Sequence, residues 1–187
     1  SDLGRSCFGN GAGIVRLEVR ASQLVGTPRP LENDPGDWRA FTHATPHPGP
    51  GPWPGVKRAG DPFLASARSA CLSLGLDEAI LADGEGYVLE GSRSGLVVLD
   101  ASGDLVTPDP RRGGVRSIGL EILGEALPEL TPRDLPLETL WQAREVVAVN
   151  AVRGARRVRT LDKRALGPPS GTGLASRLAE VLEGSVG

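Results

Sequence analysis

Lys57 follows a connector rich in proline and glycine, and Glu90 closes the short apolar run VLE within VLEGSRSG. A lysine amine condenses with carbonyl compounds. Partly desolvated and set beside another cation, it can also carry a proton. A carboxylate among small residues can face a protonated heterocyclic nitrogen. The third feature is Gly113-Gly114-Val115-Arg116-Ser117, a glycine-rich entry into an apolar helical pattern. Backbone N–H groups at such an entry suit a phosphate. Amine, acid and phosphate cradle are together the parts that pyridoxal phosphate requires.

The stretch from Gly55 to Gly119 must position these groups. Asp61-Pro62 reads as an N-cap and first-turn pair. Phe63, Leu64, Ala67, Ala70, Cys71 and Leu74 then recur at helical spacing up to Gly75. Residues 77–83 predict a strand with Ala79, Ile80 and Leu81 in the core, Gly84-Glu85-Gly86 a turn, and 87–90 its return. Residues 95–100 and 105–107 predict a second hairpin about Ala101-Ser102-Gly103. The four runs together predict an antiparallel meander. Beyond Ser117, Ile118, Leu120, Ile122 and Leu123 predict a helix, followed by a strand over 131–137 and a short helix over 138–143. EVVAVNAV (145–152) and residues 156–161 read as strands, and a last helix is expected from Thr172 as its N-cap through Leu174, Leu178, Val181 and Leu182.

Ahead of the linker, residues 1–13 read as loop. GNGAG is no dinucleotide fingerprint, because a strand, IVRLEVRA, follows it instead of a helix. Residues 26–37 read as loop and 38–45 as strand. ATPHPGPGPWPG (44–55) is too rich in proline and glycine for regular structure. The division expected is 1–45 as the remnant of a small domain, 46–55 as linker, and 56–187 as the large domain. The chain contains no Met and begins abruptly, so a missing front is expected.

The 187 residues carry a net charge of -2 and no basic stripe with interleaved aromatics, which argues against nucleic acid or an anionic membrane as partner. No run approaches the roughly 18 apolar residues of a membrane span, and no signal-peptide pattern is present. Cys7 and Cys71 lack metal or redox spacing and read as reduced thiols of a cytoplasmic protein. His43 and His47 are the only histidines, so no metal centre is expected.

From Lys57 to Asp162 the order GVKR, LDEAILADGEGYVLEGSRSGLVVL, LVTPD, GGV and EVVAVNAVRGARRV resembles the large domain of the class IV (fold-type IV) pyridoxal-phosphate enzymes. These are the branched-chain and D-amino acid aminotransferases and aminodeoxychorismate lyase. The resemblance implies an α+β fold, with antiparallel and mixed strands flanked by helices. It implies Lys57 as the catalytic amine holding the cofactor, and Glu90 as partner of the pyridine nitrogen. Ser94, Val115, Arg116, Ser117, Asn150 and Ala151 complete the implied cofactor set; the phosphate contact stays open among Val115, Arg116 and Ser117.

Asn150-Ala151-Val152 is similar to the lyase pattern, and the aromatic residue that many aminotransferases carry after the lysine is replaced in the region of Pro62. Both features favour a lyase that converts 4-amino-4-deoxychorismate to 4-aminobenzoate and pyruvate, for folate synthesis. A class IV aminotransferase and a non-catalytic remnant are the alternatives. Ala59, Gly60 and Asp61 stand where the family carries an Asn, and Gly95 replaces another. The resemblance further implies a small-molecule amino substrate, a homodimer, and an arginine from the small domain at the phosphate.

Overall fold

The computed structural model describes residues 6–8, 13–31, 34, 36–52, 55–58 and 60–185. Most of the loop expected over 1–13 lies outside the described residues. The chain forms two compact units, Ser1–Pro35 and Gly36–Gly187.

In the first unit, β1 (Gly13–Arg20) and β2 (Gln23–Pro30) pair antiparallel from Gly13↔Pro30 to Arg20↔Gln23. Ala21 and Ser22 between them have φ of 46° and 68°, the left-handed pair that matches strand twist in a two-residue hairpin. Residues 26–30, expected as loop, are therefore strand. Pro28 and Pro30 are tolerated because each strand of a two-stranded ribbon keeps one edge without a hydrogen-bonding partner.

The second unit is built on one mixed sheet. Its strands are β3 (Trp38–Thr42), β4 (Glu78–Ala82), β5 (Tyr87–Gly91), β6 (Gly95–Leu99), β7 (Leu105–Pro108), β8 (Thr131–Arg133), β9 (Leu135–Pro136), β10 (Glu145–Asn150), β11 (Gly154–Leu161) and β12 (Arg164–Ala165). They run in the order β8-β7-β6-β10-β11-β3-β4-β5-β9, with β12 on β11. Four helices flank the sheet: α1 (Pro62–Leu74), α2 (Ile118–Ala126), α3 (Leu137–Gln142) and α4 (Leu174–Gly184).

The α+β class expected is the one found, but the single meander is not. The hairpins β4–β5 and β6–β7 form, and β10, β11 and β3 lie between them in the sheet. Three pairs are parallel: β3 with β4, β3 with β11, and β7 with β8. A pattern of alternating apolar runs specifies which face is buried; it does not specify which strand lies alongside. The strand expected over 131–137 is likewise two short pieces, β8 on β7 and β9 on β5.

β10 is buried on both faces, which explains its unbroken apolar run. Val146 and Ala148 join Ile80, Val88, Leu96 and Val158 on one side of the sheet. Val147 and Val149 point to the other side, where Leu123 of α2 and Leu178 of α4 cover them. This is the two-residue alternation of strand side chains. In α1, Leu64, Ala67 and Cys71 share one face and close over Ala79 and Leu81 of β4. That contact fixes the helix that begins shortly after Lys57. The last helix starts one residue later than expected, with Gly173 as its N-cap, while Thr172 donates its hydroxyl to Glu145.

Candidate active site

Glu90 lies near the end of β5, opposite Leu81 of β4, and is only 7 % exposed. Its Oε2 accepts the Val115 N–H at 3.3 Å. Its Oε1 is buried and has no hydrogen-bond partner among the described residues. Burial pushes the carboxyl up to about 7; the Val115 bond and the charges of Lys57 and Arg68 oppose the rise, and Glu78 adds to it. Near neutral pH this group therefore stands close to the midpoint of its titration.

Lys57 precedes α1 and keeps its side chain in contact with solvent. Partial desolvation, then the positive charge of Arg68, lower its pKa; Glu90 and Glu78 pull in the other direction. The amine and the acid thus share one electrostatic environment. A cavity of about 190 Å³ opens beside Glu90, with Val115, Gly113, His47, Phe63 and Val56 in its wall. Lys57 is not itself in that wall, although its neighbours Val56 and Arg58 are. A larger cavity of about 410 Å³ lies elsewhere, between Leu105, Arg133 and α4. Its cations are paired internally, Arg133 with Asp104 at 2.9 Å and Arg177 with Glu129 at 2.5 Å, and it contains none of the candidate residues.

The glycine-rich entry to α2 is engaged within the chain. Val115 gives its N–H to Glu90, and Arg116 gives its N–H to the Gly55 carbonyl at 2.9 Å. The Arg116 side chain is exposed and pairs with Glu121 at 2.6 Å. Gly55 sits at φ 77°, where an L side chain is strained, and a Cβ there would lie 2.7 Å from the Arg116 side chain. Ser117 is the N-cap of α2, its hydroxyl accepting the Leu120 N–H at 3.4 Å.

Asn150 ends β10, and its Oδ1 accepts the N–H groups of Val152 (3.0 Å) and Arg153 (2.8 Å), a side-chain turn that shapes the β10–β11 connection. Ala151 is exposed in that turn. Strand pairing of Gly95 with Val149 brings the turn beside the start of β6. Ser117 is also there, its Cβ 3.3 Å from where a Gly95 Cβ would stand. Ser94 is buried, and its hydroxyl is committed to Glu78 at 2.6 Å. Lys57 and Glu90 therefore share one electrostatic environment, Glu90 holds the Val115 N–H, and Ser117 and the Asn150-Ala151 turn both lie near Gly95 at the start of β6. The two sets are joined along the chain through Val115-Arg116-Ser117.

Two residues that motif reading passed over belong to the same neighbourhood. Glu78 on β4 and Arg68 on α1 both act on the charge states of Lys57 and Glu90. Arg68 also clasps the Ser92 carbonyl through Nε and Nη2, each at 3.2 Å. The signal for Glu78 was available: an acid in the apolar strand EAILA. Among the described residues, no cluster of three or more His, Cys, Asp or Glu is placed to hold a metal.

The family model for class IV aminotransferases matches residues 7–161. No curated protein matches the sequence. Among solved structures, the T.th. branched-chain amino acid aminotransferase complexed with N-(5'-phosphopyridoxyl)-L-glutamate is 25 % identical with a TM-score of 0.70, over 81 % of this chain and 52 % of its own. A hypothetical aminotransferase from Mycobacterium tuberculosis is 24 % identical with a TM-score of 0.75, over 87 % and 62 %. A Legionella pneumophila protein provisionally named 4-amino-4-deoxychorismate lyase has the same TM-score of 0.75 at 18 % identity, over 87 % and 61 %. The chain thus spans about half to two-thirds of the length of these structures.

Proposed function

Because the chain belongs to the class IV aminotransferase family, we propose that it forms the large domain of a pyridoxal-phosphate enzyme acting on a small-molecule amino substrate. The observation that carries this reading is the buried, unpartnered Oε1 of Glu90. A buried acid lacking a donor is costly unless something supplies one. A protonated pyridine nitrogen is such a donor, and a carboxyl poised near neutrality suits it.

Lys57 is the residue to hold the cofactor, since its amine is already biased toward the neutral, nucleophilic form by desolvation and Arg68. When bound, pyridoxal phosphate supplies an electron sink for the substrate carbon. Lys57 then takes and returns the proton at the reacting carbon. Glu90 would keep the ring nitrogen protonated, with the Val115 N–H holding that carboxyl in place. Ser117 and the Asn150-Ala151 turn would hold the phosphate. With the Val115 and Arg116 N–H groups engaged inside the chain, Ser117 is the best placed of the three phosphate candidates.

The finer reading is lyase chemistry on 4-amino-4-deoxychorismate. Lys57 would remove the ring proton and pyruvate would leave from the neighbouring carbon, giving aromatic 4-aminobenzoate. Asn150-Ala151, and Pro62 in the region where many aminotransferases carry an aromatic residue, support this reading. The branched-chain relatives support amino transfer as the second reading. The full-length protein would act as a homodimer with a small domain closing the cofactor site. The test begins with pyridoxal phosphate added to the full-length protein. A new visible absorbance band is expected, and Lys57→Ala should abolish it and lower turnover by about 1000-fold or more. Pyruvate release from aminodeoxychorismate supports the lyase, whereas transfer to a 2-oxo acid without pyruvate release replaces it with the aminotransferase. A wild-type protein that shows no band rejects the cofactor.

A further inference from the structure

Glu78 is fully buried on β4, one strand away from Glu90, and every hydrogen bond it makes through its carboxyl is one it accepts. Its Oε1 takes the Ala79 N–H at 2.9 Å and the Ser92 hydroxyl at 2.6 Å, and its Oε2 takes the Ser94 hydroxyl at 2.6 Å. These two serines flank Arg93 in the turn that leaves β5 immediately after Glu90 and Gly91. The turn is tied down twice more, by the Ser92 N–H on the Ala79 carbonyl and by the Gly91 N–H on the Ser94 carbonyl. Gly91 is required beside the carboxylate: a Cβ there would lie 2.6 Å from the Ser94 Oγ and 2.8 Å from the Glu78 carboxyl.

A buried acid in an apolar strand is expensive, and a helix-covered sheet needs none for packing. Here the acid reads two hydroxyls of a single turn, and that turn carries the acid of the candidate site. We propose that Glu78 is a positioning residue for Glu90, clamping the turn after β5 through Ser92 and Ser94 so that the Glu90 carboxyl stays on the Val115 N–H beside the cavity. The catalytic importance of this clamp rests on the cofactor reading above, but the clamp itself can be tested without cofactor.

The groups acting on Glu90 are Lys57 before α1, Arg68 on α1, Glu78 on β4 and the Val115 N–H before α2. Of these only Glu78 is a like charge. Replacing it with a neutral isostere should therefore make Glu90 easier to ionise.

The experiment uses the full-length protein without cofactor, labelled with ¹³C at the glutamate carboxyls, with the Glu90 signal assigned by its loss in Glu90→Gln. In Glu78→Gln the easier ionisation of Glu90 is opposed by loosening of the Val115 bond, which otherwise holds the Glu90 midpoint down; in Ser94→Ala, which keeps every charge, only the loosening remains and the Glu90 midpoint should rise. Exchange of the Val115 amide should quicken by about tenfold or more relative to amides of β4 and β5. Ser94→Ala keeps the charge and removes one hydroxyl of the clamp; it should quicken Val115 exchange in the same way, and it is the milder change if Glu78→Gln does not fold. A Val115 exchange rate unmoved relative to the core amides in both variants, with a Glu90 midpoint unmoved in Ser94→Ala, overturns the proposal even if both variants melt earlier, because a residue that only packs would lower stability alone. Failure of the wild type to bind pyridoxal phosphate would sink the proposed function and leave this measurement intact.

Discussion

Glu90 and Glu145 are both buried acids of the same sheet, and they are treated in opposite ways. Glu145, 2 % exposed at the start of β10, has both its carboxyl oxygens occupied. It accepts the Thr172 N–H, the Thr172 hydroxyl at 2.8 Å and the Ala175 N–H at 3.0 Å. These donors belong to the entry and first turn of α4, whose N-cap is a glycine with no side chain to offer. A strand residue thus caps a helix from 27 to 30 positions away in sequence. Glu90 holds one long N–H bond and leaves an oxygen unmet. An acid with a full set of internal donors builds the fold, and one left short is kept for a partner outside it.

The sharpest way to separate the two roles is to remove each acid. Glu145→Ala removes the acceptor of two backbone N–H groups and a hydroxyl at the start of α4, and empties a buried strand position. A loss of about 4 kcal/mol in urea unfolding is expected, with the Glu90 titration unchanged. A loss near zero would mean that water serves α4 equally well. Glu90→Gln should behave in the other direction.

The folded Glu90 carboxyl sits at about 7 against an ordinary 4.5, which corresponds to roughly 3 kcal/mol. A raised acid contributes stability below pH 4.5 and loses it as the pH rises through about 7. Glu90→Gln should therefore match the wild type at pH 4 and exceed it at pH 8, by up to roughly 3 kcal/mol. Melting curves across that range decide the matter, and parallel pH profiles would show that Glu90 is as well satisfied as Glu145.

What the sequence reveals follows the same division. Elements specified by neighbours along the chain were legible: α1 from Asp61-Pro62 to Gly75, the hairpins about Gly84-Glu85-Gly86 and Ala101-Ser102-Gly103, and the doubly buried β10. Lys57 and Glu90 stood out as candidates because their types contrast with small and apolar surroundings. What depends on distant pairing was not legible. Nothing near β4 or β6 states that β10, β11 and β3 intervene between the hairpins. Nothing near Thr172 states that Glu145 will claim its hydroxyl. Glu78 was visible as an acid in an apolar strand, but what it holds was not, since its partners Ser92 and Ser94 lie 14 and 16 residues further on.

The two kinds of cap give the smallest and cleanest test of that division. Asp61 caps α1 locally, its Oδ1 accepting the Phe63 N–H at 3.0 Å and the Leu64 N–H at 3.2 Å. Those bonds hold its carboxyl below the ordinary carboxylate range. Asp61→Ala removes a single N-cap acceptor and should cost about 1 kcal/mol, a fraction of the Glu145→Ala loss. A lowered acid stabilises above its unfolded value and loses that contribution as the pH falls, so the deficit of Asp61→Ala should shrink in acid. Because α1 starts close to Lys57, fraying its first turn should also loosen the helix that carries Arg68. A rise in the Lys57 midpoint toward that of a free lysine, followed by NMR in Asp61→Ala, would show that a cap worth little to stability still governs the charge of the amine. An unmoved midpoint would confine the influence of Asp61 to the helix it caps.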